Sequence, residues 1–550
     1  MGPASTNRIW CFMSSYLFGL IFLSASAASA ATSHIDTADE IISEMQNHLV
    51  WDYYQQWARD LDWERLRDFY SKRDFLPVWV NSDQSTRRAS TVRDTLLNSH
   101  LEGLEPNEYH AAAIRTMWNA RKARSRARLE LLLTDGFLRY GVEVSIGYQN
   151  PKSVDYDWHV VPQQVDSISR LEALLISDSP QSFLESLPPP QPAYAKLKQT
   201  LAYYRQLALG GDWRPFNHGQ SLQVGMRHSD VSLIKARLVR EAYLSNNDNT
   251  NSDYFDETLS LAVRQFQANH GHKVDGIVGP YTRQSMSVSL WERIASLKQN
   301  MERWRWVPRE LGERYVMVNM AGYKLDLIDR GKVILEMPVI VGKPYRAAPA
   351  FIDNIDYVEI NPTWKVPPRI AKEKFLPKIQ ADPKFLARNR LRIYDSWGKK
   401  AKEVDPTNVN WSKYNERWLP YKFVQDPGKH NSMGLVKFMF PNKYRIYLHD
   451  TPQKKLFNRY VRTFSSGCIR VSQPFTLANK ILEKEKSWGG KKIQSLINGG
   501  ETKIIRMKEP LPVYLMYWTA WVDENGRVNF RKDVYQRNKR IAISAEMAVS

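Results

Sequence analysis

Cysteine is the residue type that this chain has least of. Its 550 residues include 2 cysteines, Cys11 near the N-terminus and Cys468 in the C-terminal part. The spacings typical of zinc sites, C-x-x-C and H-x-x-x-H, are absent from the sequence. A phosphate-binding loop of the G-x-x-x-x-G-K-Ser/Thr type is absent as well. The sequence therefore predicts no metal site, and we expect no cofactor.

Long apolar runs are also lacking beyond the N-terminal leader. Residues 1–30 contain the basic Arg8, an apolar stretch and the small residues Ala28-Ser29-Ala30. This is the pattern of a secretory signal peptide that is cut after Ala30. An uncleaved membrane anchor is the alternative, but the apolar part is short for a span, and no later segment approaches about 18 uninterrupted apolar residues. We expect an exported protein that is not integral to the membrane.

Cleavage of the leader would remove Cys11 and leave Cys468 as a single thiol. An intramolecular disulfide would then be impossible, which leaves three interpretations. An unpaired cysteine in an exported chain indicates an intermolecular bond or a reactive thiol. A buried and inert cysteine is the third interpretation. The choice among these three interpretations depends on the sequence around Cys468.

Charge and composition restrict the class of protein and of partner. A hydrophobic fraction of 43% is enough for packed cores and excludes a wholly disordered chain. The formal net charge of +20 favours anionic partners. For an exported protein, an anionic polymer of the cell envelope or an acidic membrane face is a better partner than nucleic acid. A generally basic surface without a dedicated partner is the alternative.

The hydrophobic periodicity divides the mature chain into segments of different type. Helical spacing dominates in the N-terminal third, and three short helices around a small core follow it. Alternation with a period of two then predicts a mainly-β domain, with a hairpin turn at Asp329-Arg330-Gly331. The predicted fold class is multidomain α+β. The predicted boundaries are 31–220 for the helical scaffold, 221–295 for the three-helix module, 296–508 for the β domain with an insertion at about 368–434, and 509–550 for a C-terminal hairpin and tail.

The residues around Cys468 have the character of a nucleophilic site. In "KYRIYLHD", read as a strand, His449 shares a face with Tyr447 and Arg445 and is not on the apolar face. The small residues Ser466 and Gly467 directly before Cys468 would let the backbone approach a substrate. A nearby imidazole could take the thiol proton and generate the nucleophilic thiolate. A histidine and a cysteine at this spacing can also occur by chance.

Longer motifs make the resemblance specific. The segment "IYLHDTP…FSSGCIRVSQP" resembles the signature of the L,D-transpeptidases, which is a histidine, a loop and then Ser/Thr-His-Gly-Cys-apolar-Arg. "AVRQFQANHG…VDGIVGPYT" is similar to a three-helix peptidoglycan-binding module. "MERWRWVPRELGERYVMVN", "VGKPYRAAPAF" and "NPTWKVPP" resemble the large periplasmic members from Gram-negative bacteria. These members also have a scaffold domain and an insertion that caps the substrate.

The resemblance implies a role for each residue of the motif. Cys468 would be the nucleophile that forms a thioester with a peptidoglycan tetrapeptide stem and releases D-Ala. His449 would be the general base for the thiol and later for the acceptor amine. The amides of Gly467 and Cys468 would stabilise the oxyanion. A diaminopimelate amine from a neighbouring stem would resolve the thioester as a 3→3 cross-link in the periplasm. Arg470 would hold the loop or a substrate carboxylate. The other residues expected to bind substrate are Tyr447, Ser466 and Trp364.

The sequence departs from the family pattern at two places. Ser466 stands where the signature has its second histidine, and Ala347-Ala348 stands where a hydroxyl residue is usual. Two alternatives therefore stay open beside the active transpeptidase. One is a catalytically impaired protein that binds the cell envelope, and the other is a carboxypeptidase-like variant that transfers the acyl group to water. The acceptor is also open among another stem, a D-amino acid and a lipoprotein lysine.

Overall fold

The computed structural model describes most of the chain after the leader. The described residues are 37–44, 46, 60–80, 85–216, 218–245, 252–398, 400–485 and 488–541. The predicted signal peptide, residues 1–30, lies outside them. Within these residues, no helix combines the length and apolar character needed to cross a membrane. They form two compact units, of which the first contains the residues up to Gln149 together with Pro162–Leu209 and Leu297–Arg309.

The first unit is helical and is organised around one long, largely buried helix. Its helices are Trp63–Ser71, Arg87–Leu97, Ala111–Met117, Ala123–Ile146, Ser167–Ile176, Pro180–Ser186 and Pro192–Leu209. The helix Ala123–Ile146 packs against four of the others, which explains why it buries residues all around its axis. Side-chain caps fix the helix starts, as where Thr86 accepts a hydrogen bond from the Ala89 amide. The predicted helical scaffold is confirmed in character.

A buried carboxylate stabilises the start of this unit. Glu130 is fully buried on the long helix and accepts hydrogen bonds from the backbone amides of residues 78–80. The Tyr70 hydroxyl donates a further bond of 2.8 Å. Burial raises the pKa of Glu130 to about 7, and these donors counteract the shift. The side chain thus satisfies amides that would otherwise be buried without partners.

The second unit begins with the predicted three-helix module. Its helices are Asp230–Arg240, Glu257–Asn269 and Pro280–Met286. Their apolar residues form one small core that includes Val231, Leu259 and Met286. Asp256 caps the second helix by accepting a hydrogen bond of 2.8 Å from the Leu259 amide.

A large sheet forms the centre of the second unit. The strands are β1 Arg314–Asn319, β2 Lys324–Asp329, β3 Lys332–Gly342, β4 Phe351–Ile360, β5 Trp364–Lys365, β6 Leu391–Tyr394, β7 Glu403–Val404, β8 Lys422–Gln425, β9 Val436–Met439, β10 Leu448–His449, β11 Thr463–Ser465, β12 Ile469–Val471, β13 Lys503–Met516, β14 Ala520–Val522 and β15 Val528–Phe530. Nine strands make the sheet, in the order β11-β3-β12-β10-β9-β4-β13-β1-β2. The hairpin predicted at Arg330-Gly331 joins β2 to β3, and both residues have positive φ. The helices Pro474–Leu482 and Gly490–Gly499 complete this region.

The insertion has more structure than the sequence indicates. A second sheet in the order β5-β8-β6-β7 lies there, with the short helices Leu376–Ala381 and Phe385–Arg388. Its own apolar core includes Trp364 and Trp411. The insertion is therefore a small folded subdomain. Its strands and helices are more regular than the sequence pattern indicates.

Several of the predicted boundaries differ from the observed grouping. Residues 210–220 of the predicted scaffold group with the second unit, and residues 297–309 of the predicted β domain group with the first. The boundary between 508 and 509 falls inside β13, which pairs with β1 and β4 and carries the main sheet on to Met516. Residues 150–161 lie within the predicted scaffold but group with the second unit. The hairpin around Asn525-Gly526 is present and joins β14 to β15.

Candidate active site

Cys468 lies in the bend between β11 and β12, at a cavity. Gly467 precedes it with a φ of +128°, a backbone conformation that favours glycine. The cavity has a volume of about 430 Å³. Its walls come from five stretches of the chain, and the lining residues are Asp157, His159, Tyr345, Arg346, Ala347, Pro349, Pro367, Arg369, Ile370, Tyr444, Ile446, Ser466, Gly467 and Cys468. A ligand in the cavity can therefore reach the thiol, which argues against a buried and inert cysteine.

The strand register places four predicted residues on one face of the sheet. Strands β10 and β12 are parallel neighbours, with His449 opposite Arg470. Because side chains alternate along strands, Tyr447 and Cys468, each two residues before that pair, lie on the same face. The rings of Tyr447 and His449 are 6.0 Å apart between centroids. The sequence prediction that His449 shares a face with Tyr447 agrees with this register.

Tyr447 donates hydrogen bonds to the Cys468 sulfur. Burial raises the pKa of the thiol, and hydrogen bonds from the Tyr447 amide and phenol, with the charges of Lys437 and Arg470, act in the opposite direction. The thiol itself donates to the Arg445 carbonyl, with the sulfur 3.7 Å from the oxygen. Burial outweighs these stabilising contacts to the thiolate, so the protonated thiol is favoured at neutral pH in the free protein.

The His449 imidazole is buried on the same face of the sheet. Its Nδ1 lies 2.5 Å from the Asp450 carbonyl oxygen, which fixes the orientation of the ring. Burial and the charge of Arg470 lower the pKa of His449 to about 3, although the carbonyls of Asp450 and Met433 act in the other direction. The imidazole is therefore neutral and can accept a proton. Among the described residues, the thiol is bonded to Arg445 and no hydrogen bond joins it to His449.

The loop before Cys468 is held by side-chain contacts. The Gly467 amide donates to Ser465 Oγ at 3.1 Å, so it is engaged in this state. The Cys468 amide has no hydrogen-bond partner in the part of the chain that the structure describes. Ser466 accepts a bond of 3.3 Å from Arg346, whose guanidinium also pairs with Glu373 of the insertion. An arginine thus contacts the position where the family signature has a histidine.

Arg470 and Trp364 lie where they do not contact the cavity directly. Arg470 donates to Gln453 at 2.7 Å, which favours a loop-holding role over binding of a substrate carboxylate. Trp364 is buried in the core of the insertion, where its ring meets Phe375 edge-on at 5.8 Å. Its position supports the insertion that forms one side of the cavity, and the predicted contact with substrate is not seen.

Several cavity residues have no signal in the local sequence. Asp157 and His159 come from the N-terminal half of the chain, and no spacing relates them to Cys468. Arg346 lies in the segment "VGKPYRAAPAF", which departs from the family pattern at the two alanines that follow it. In the described residues there is no group of three or more histidine, cysteine, aspartate or glutamate side chains that could hold a metal ion.

Family models match three separate parts of the chain. A model described as "Scaffold domain" matches residues 64–201. A model described as "Putative peptidoglycan binding domain" matches residues 227–286. A model described as "L,D-transpeptidase catalytic domain" matches residues 313–493, which include Cys468 and His449.

Individual proteins resemble parts of the chain. A Haemophilus influenzae protein named "Putative L,D-transpeptidase" is 35% identical over 248 residues, which are 45% of this chain and 49% of that protein. The chain thus spans about half the length of this curated relative. The solved L,D-transpeptidase from Mycobacterium smegmatis has 10% identity, covers 37% of this chain and 58% of its own, and has a TM-score of 0.18. The solved L,D-transpeptidase from Xylanimonas cellulosilytica has 15% identity and a TM-score of 0.18. The match covers 55% of this chain and 100% of that one.

The domain matches agree with the motifs that the sequence shows. The helical first unit contains the scaffold match apart from residues 150–161, and the three-helix module contains the peptidoglycan-binding match. The resemblance is therefore confirmed at the level of domains: separate regions of the chain match models of a scaffold domain, a peptidoglycan-binding domain and an L,D-transpeptidase catalytic domain.

Proposed function

We propose that this protein is a cysteine-dependent L,D-transpeptidase that forms 3→3 cross-links between diaminopimelate residues of peptidoglycan stems. The observation that carries the proposal is the Cys468 thiol at a cavity, inside the region that matches the catalytic domain, residues 313–493. His449 on the neighbouring strand provides a neutral imidazole on the same sheet face. The 35% identical relative named as an L,D-transpeptidase supports the same class of activity.

The first half-reaction would form a thioester. The Cys468 sulfur attacks the carbonyl carbon between the third and fourth residues of a tetrapeptide stem, while His449 takes the thiol proton. The C–N bond then breaks, the proton passes to the departing nitrogen, and D-Ala leaves as an amine. The Cys468 amide is the first candidate to stabilise the oxyanion. The Gly467 amide can join it when its hydrogen bond to Ser465 is exchanged.

The second half-reaction would transfer the acyl group to an amine. The side-chain amine of a diaminopimelate in a neighbouring stem attacks the thioester carbonyl. A C–N bond forms, the C–S bond breaks, the amine loses one proton, and the Cys468 thiolate is released and takes up a proton. The insertion that forms one side of the cavity would limit the access of water, which favours transfer over hydrolysis.

The charges at the cavity suit an anionic peptide. Arg346 and Arg369 line it and share Glu373 as an ionic partner. Burial and the positive charges of Arg346 and Lys343 lower the pKa of Lys374, so its ammonium adds to the same group of positive charges. Stem peptides carry free carboxylates, and a positive rim raises their local concentration. This supports binding of the donor stem with its carboxylates towards the arginines.

The remaining domains support a place in the cell envelope. The region that matches a peptidoglycan-binding domain would hold the protein on its polymeric substrate. The predicted leader, residues 1–30, would export the chain to the periplasm. No nucleic-acid partner enters this proposal.

Acylation of Cys468 tests the proposal directly. The mature protein is incubated with a disaccharide tetrapeptide, and separately with a carbapenem as an acylating inhibitor. Mass spectrometry of the intact protein and of its peptides then locates the adduct. We expect an adduct on Cys468, and muropeptide dimers with a 3→3 link in the tetrapeptide reaction. The Cys468→Ala variant, which keeps the size of a small side chain, is the matched control and should form neither.

The products separate the proposal from its two alternatives. Trimmed tripeptides without dimers would show a hydrolytic, carboxypeptidase-like enzyme. The absence of any adduct on Cys468 with both reagents would contradict the enzyme and support an impaired peptidoglycan-binding protein. Cross-linking that persists in Cys468→Ala would overturn the cysteine mechanism.

A further inference from the structure

A short segment from the N-terminal half of the chain lies against the catalytic sheet. We call residues 150–161 the strap; they group with the second unit although the chain on both sides belongs to the first. Trp158 forms a parallel bridge with Ala350. The His159 amide donates to the Ala350 carbonyl, and the Ala350 amide donates to the Asp157 carbonyl, both at 2.8 Å. Two backbone hydrogen bonds therefore fix the register of the strap.

Buried ion pairs anchor the strap from the other side. Asp155 is fully buried and lies 3.5 Å from Arg537 and 3.2 Å from Arg540. Arg537 is also fully buried and donates to the Ala348 carbonyl at 2.9 Å. One arginine thus holds both the strap and the loop that forms a wall of the cavity. Asp155 also pairs with Arg540, and Arg537 also pairs with Asp157, so the buried charges compensate one another as a cluster.

The strap brings an imidazole to the cavity of Cys468. The ring of His159 stacks on Tyr444 with 4.6 Å between centroids and an angle of 20°. His159, Tyr444 and Cys468 all line the same cavity. Stacking fixes the plane of the imidazole and leaves its edge, which carries both nitrogens, without a hydrogen-bond partner among the described residues. A half-buried, oriented and unpartnered imidazole beside a nucleophilic thiol can bind a ligand group.

We propose that His159 forms the acceptor side of the cavity, where its imidazole accepts a hydrogen bond and then a proton from the amine that resolves the thioester. This inference rests on the proposed transpeptidase function. The imidazole of His449 is buried against the Asp450 carbonyl and does not line the cavity. The amine arrives through the open cavity, whose described lining contains one imidazole, that of His159. A base acts on the group that it can reach.

The charges around His159 are compatible with this role. Burial lowers the pKa of His159, and Lys443 and Lys152 act in the same direction, while Asp157 and Asp155 act in the other. The imidazole is then neutral at neutral pH and can take a proton. In the transfer step the amine nitrogen bonds to the acyl carbon and the C–S bond breaks. The proton leaves the nitrogen for His159 and passes on to water, while the thiolate is reprotonated.

The proposal also bears on the departure at Ser466. The family signature has a histidine at this position, whereas here the Ser466 hydroxyl contacts Arg346. Because the strap supplies an imidazole to the same cavity from a distant part of the chain, amine activation does not require one at position 466. The acyl acceptor is accordingly a primary amine that enters the cavity next to the strap.

The test separates acylation from transfer in the full mature protein. His159→Phe keeps a ring that can stack on Tyr444 and removes both nitrogens, and His159→Gln keeps a polar side chain. Val161→Ala is the control on the same strap, at a side chain that is 71% exposed and does not line the cavity. Each protein is acylated with a tetrapeptide donor, and a D-amino acid or a diaminopimelate-containing tripeptide is supplied as acceptor. Mass spectrometry follows the acyl-enzyme, and chromatography measures amide product against hydrolysed tripeptide.

We expect acylation of both His159 variants at the wild-type rate, with the ratio of amide to hydrolysed product reduced by about 10²-fold, the usual range for loss of a general base. Val161→Ala should keep the wild-type ratio. Normal acylation with an unchanged ratio in His159→Phe would overturn this inference and leave the proposed function intact. A parallel fall of acylation and transfer in His159→Phe would also overturn it, because it would mark a structural role. Failure of the wild-type protein to acylate would instead overturn the proposed function.

Discussion

Burial acts in opposite directions on the two titrating side chains of the predicted dyad. It raises the pKa of the Cys468 thiol and lowers the pKa of the His449 imidazole to about 3. In both cases the neutral form is favoured, because a charge in a poorly solvated site is costly. The resting site is therefore a thiol beside a neutral base. The thiolate would form as substrate binds and the proton moves.

This state predicts the pH dependence of alkylation. Iodoacetamide reacts with the thiolate, so its rate follows the thiolate fraction. Since the pKa of Cys468 is raised, the fraction is small at neutral pH and grows as the pH rises. We expect the second-order alkylation rate of the free protein to increase with pH. The midpoint of this increase should lie above the ordinary thiol pKa of about 8.5. Mass spectrometry of the Cys468 peptide over a pH series measures it. A midpoint at or below the ordinary value would contradict the neutral pair.

Loss of the His449 imidazole should act on acylation. The variant His449→Gln keeps hydrogen-bonding capacity but cannot carry the thiol proton. We expect its acylation rate with a tetrapeptide to fall by about 10²- to 10⁴-fold, the contribution of a general base. His430→Gln, at an exposed histidine of the insertion, is the control and should acylate normally. The rate is measured as formation of the acyl-enzyme under single-turnover conditions. A fall of less than tenfold in His449→Gln would assign the base elsewhere.

At the scale of elements, the loop after β3 is shaped by a close backbone approach. A Cβ atom on Gly342 would lie 2.1 Å from the Arg346 carbonyl oxygen, a rigid backbone atom. The loop 343–348 could not keep its course with a larger residue at this position. Because Arg346 and Ala347 line the cavity, the conformation of this loop affects the site directly.

The substitution Gly342→Ala should therefore impair both stability and acylation. Overpacking of this kind costs about 1–3 kcal/mol of the free energy of unfolding. The control is Gly489→Ala, since a Cβ atom there would meet nothing within 4 Å. Chemical denaturation of the two variants gives the difference in stability. Equal stability of both, with normal acylation, would show that the loop can shift without cost.

Local pattern predicts elements better than it predicts their partners. The hairpin at Arg330-Gly331 and the cap at Asp256 depend on neighbouring residues, and both are predictable from the sequence. The insertion sheet and the strap depend on pairing between distant segments, as between Trp158 and Ala350. Such pairing leaves no periodicity in either segment. For this reason Cys468 and Tyr447 could be placed in the site from the sequence, whereas His159 could not.

At the scale of the whole molecule, charge and domain composition should act together on the polymer. The formal net charge of +20 favours association with an anionic envelope polymer, and salt screens this attraction. The region 227–286 that matches a peptidoglycan-binding domain would add contacts that depend less on salt. Binding is therefore expected to have a salt-sensitive part and a salt-resistant part.

Cosedimentation with isolated peptidoglycan sacculi tests this division. The Cys468→Ala variant is used because it cannot be trapped as an acyl-enzyme. We expect it to sediment with sacculi as the wild-type protein does, and the bound fraction to fall severalfold between about 0.05 M and 0.5 M salt, where the Debye length shortens from roughly 14 to 4 Å. Some binding should persist at the higher salt. A bound fraction that does not change with salt would rule out a contribution from the net charge. Loss of binding in Cys468→Ala would show that the attachment to sacculi is covalent and depends on the thiol.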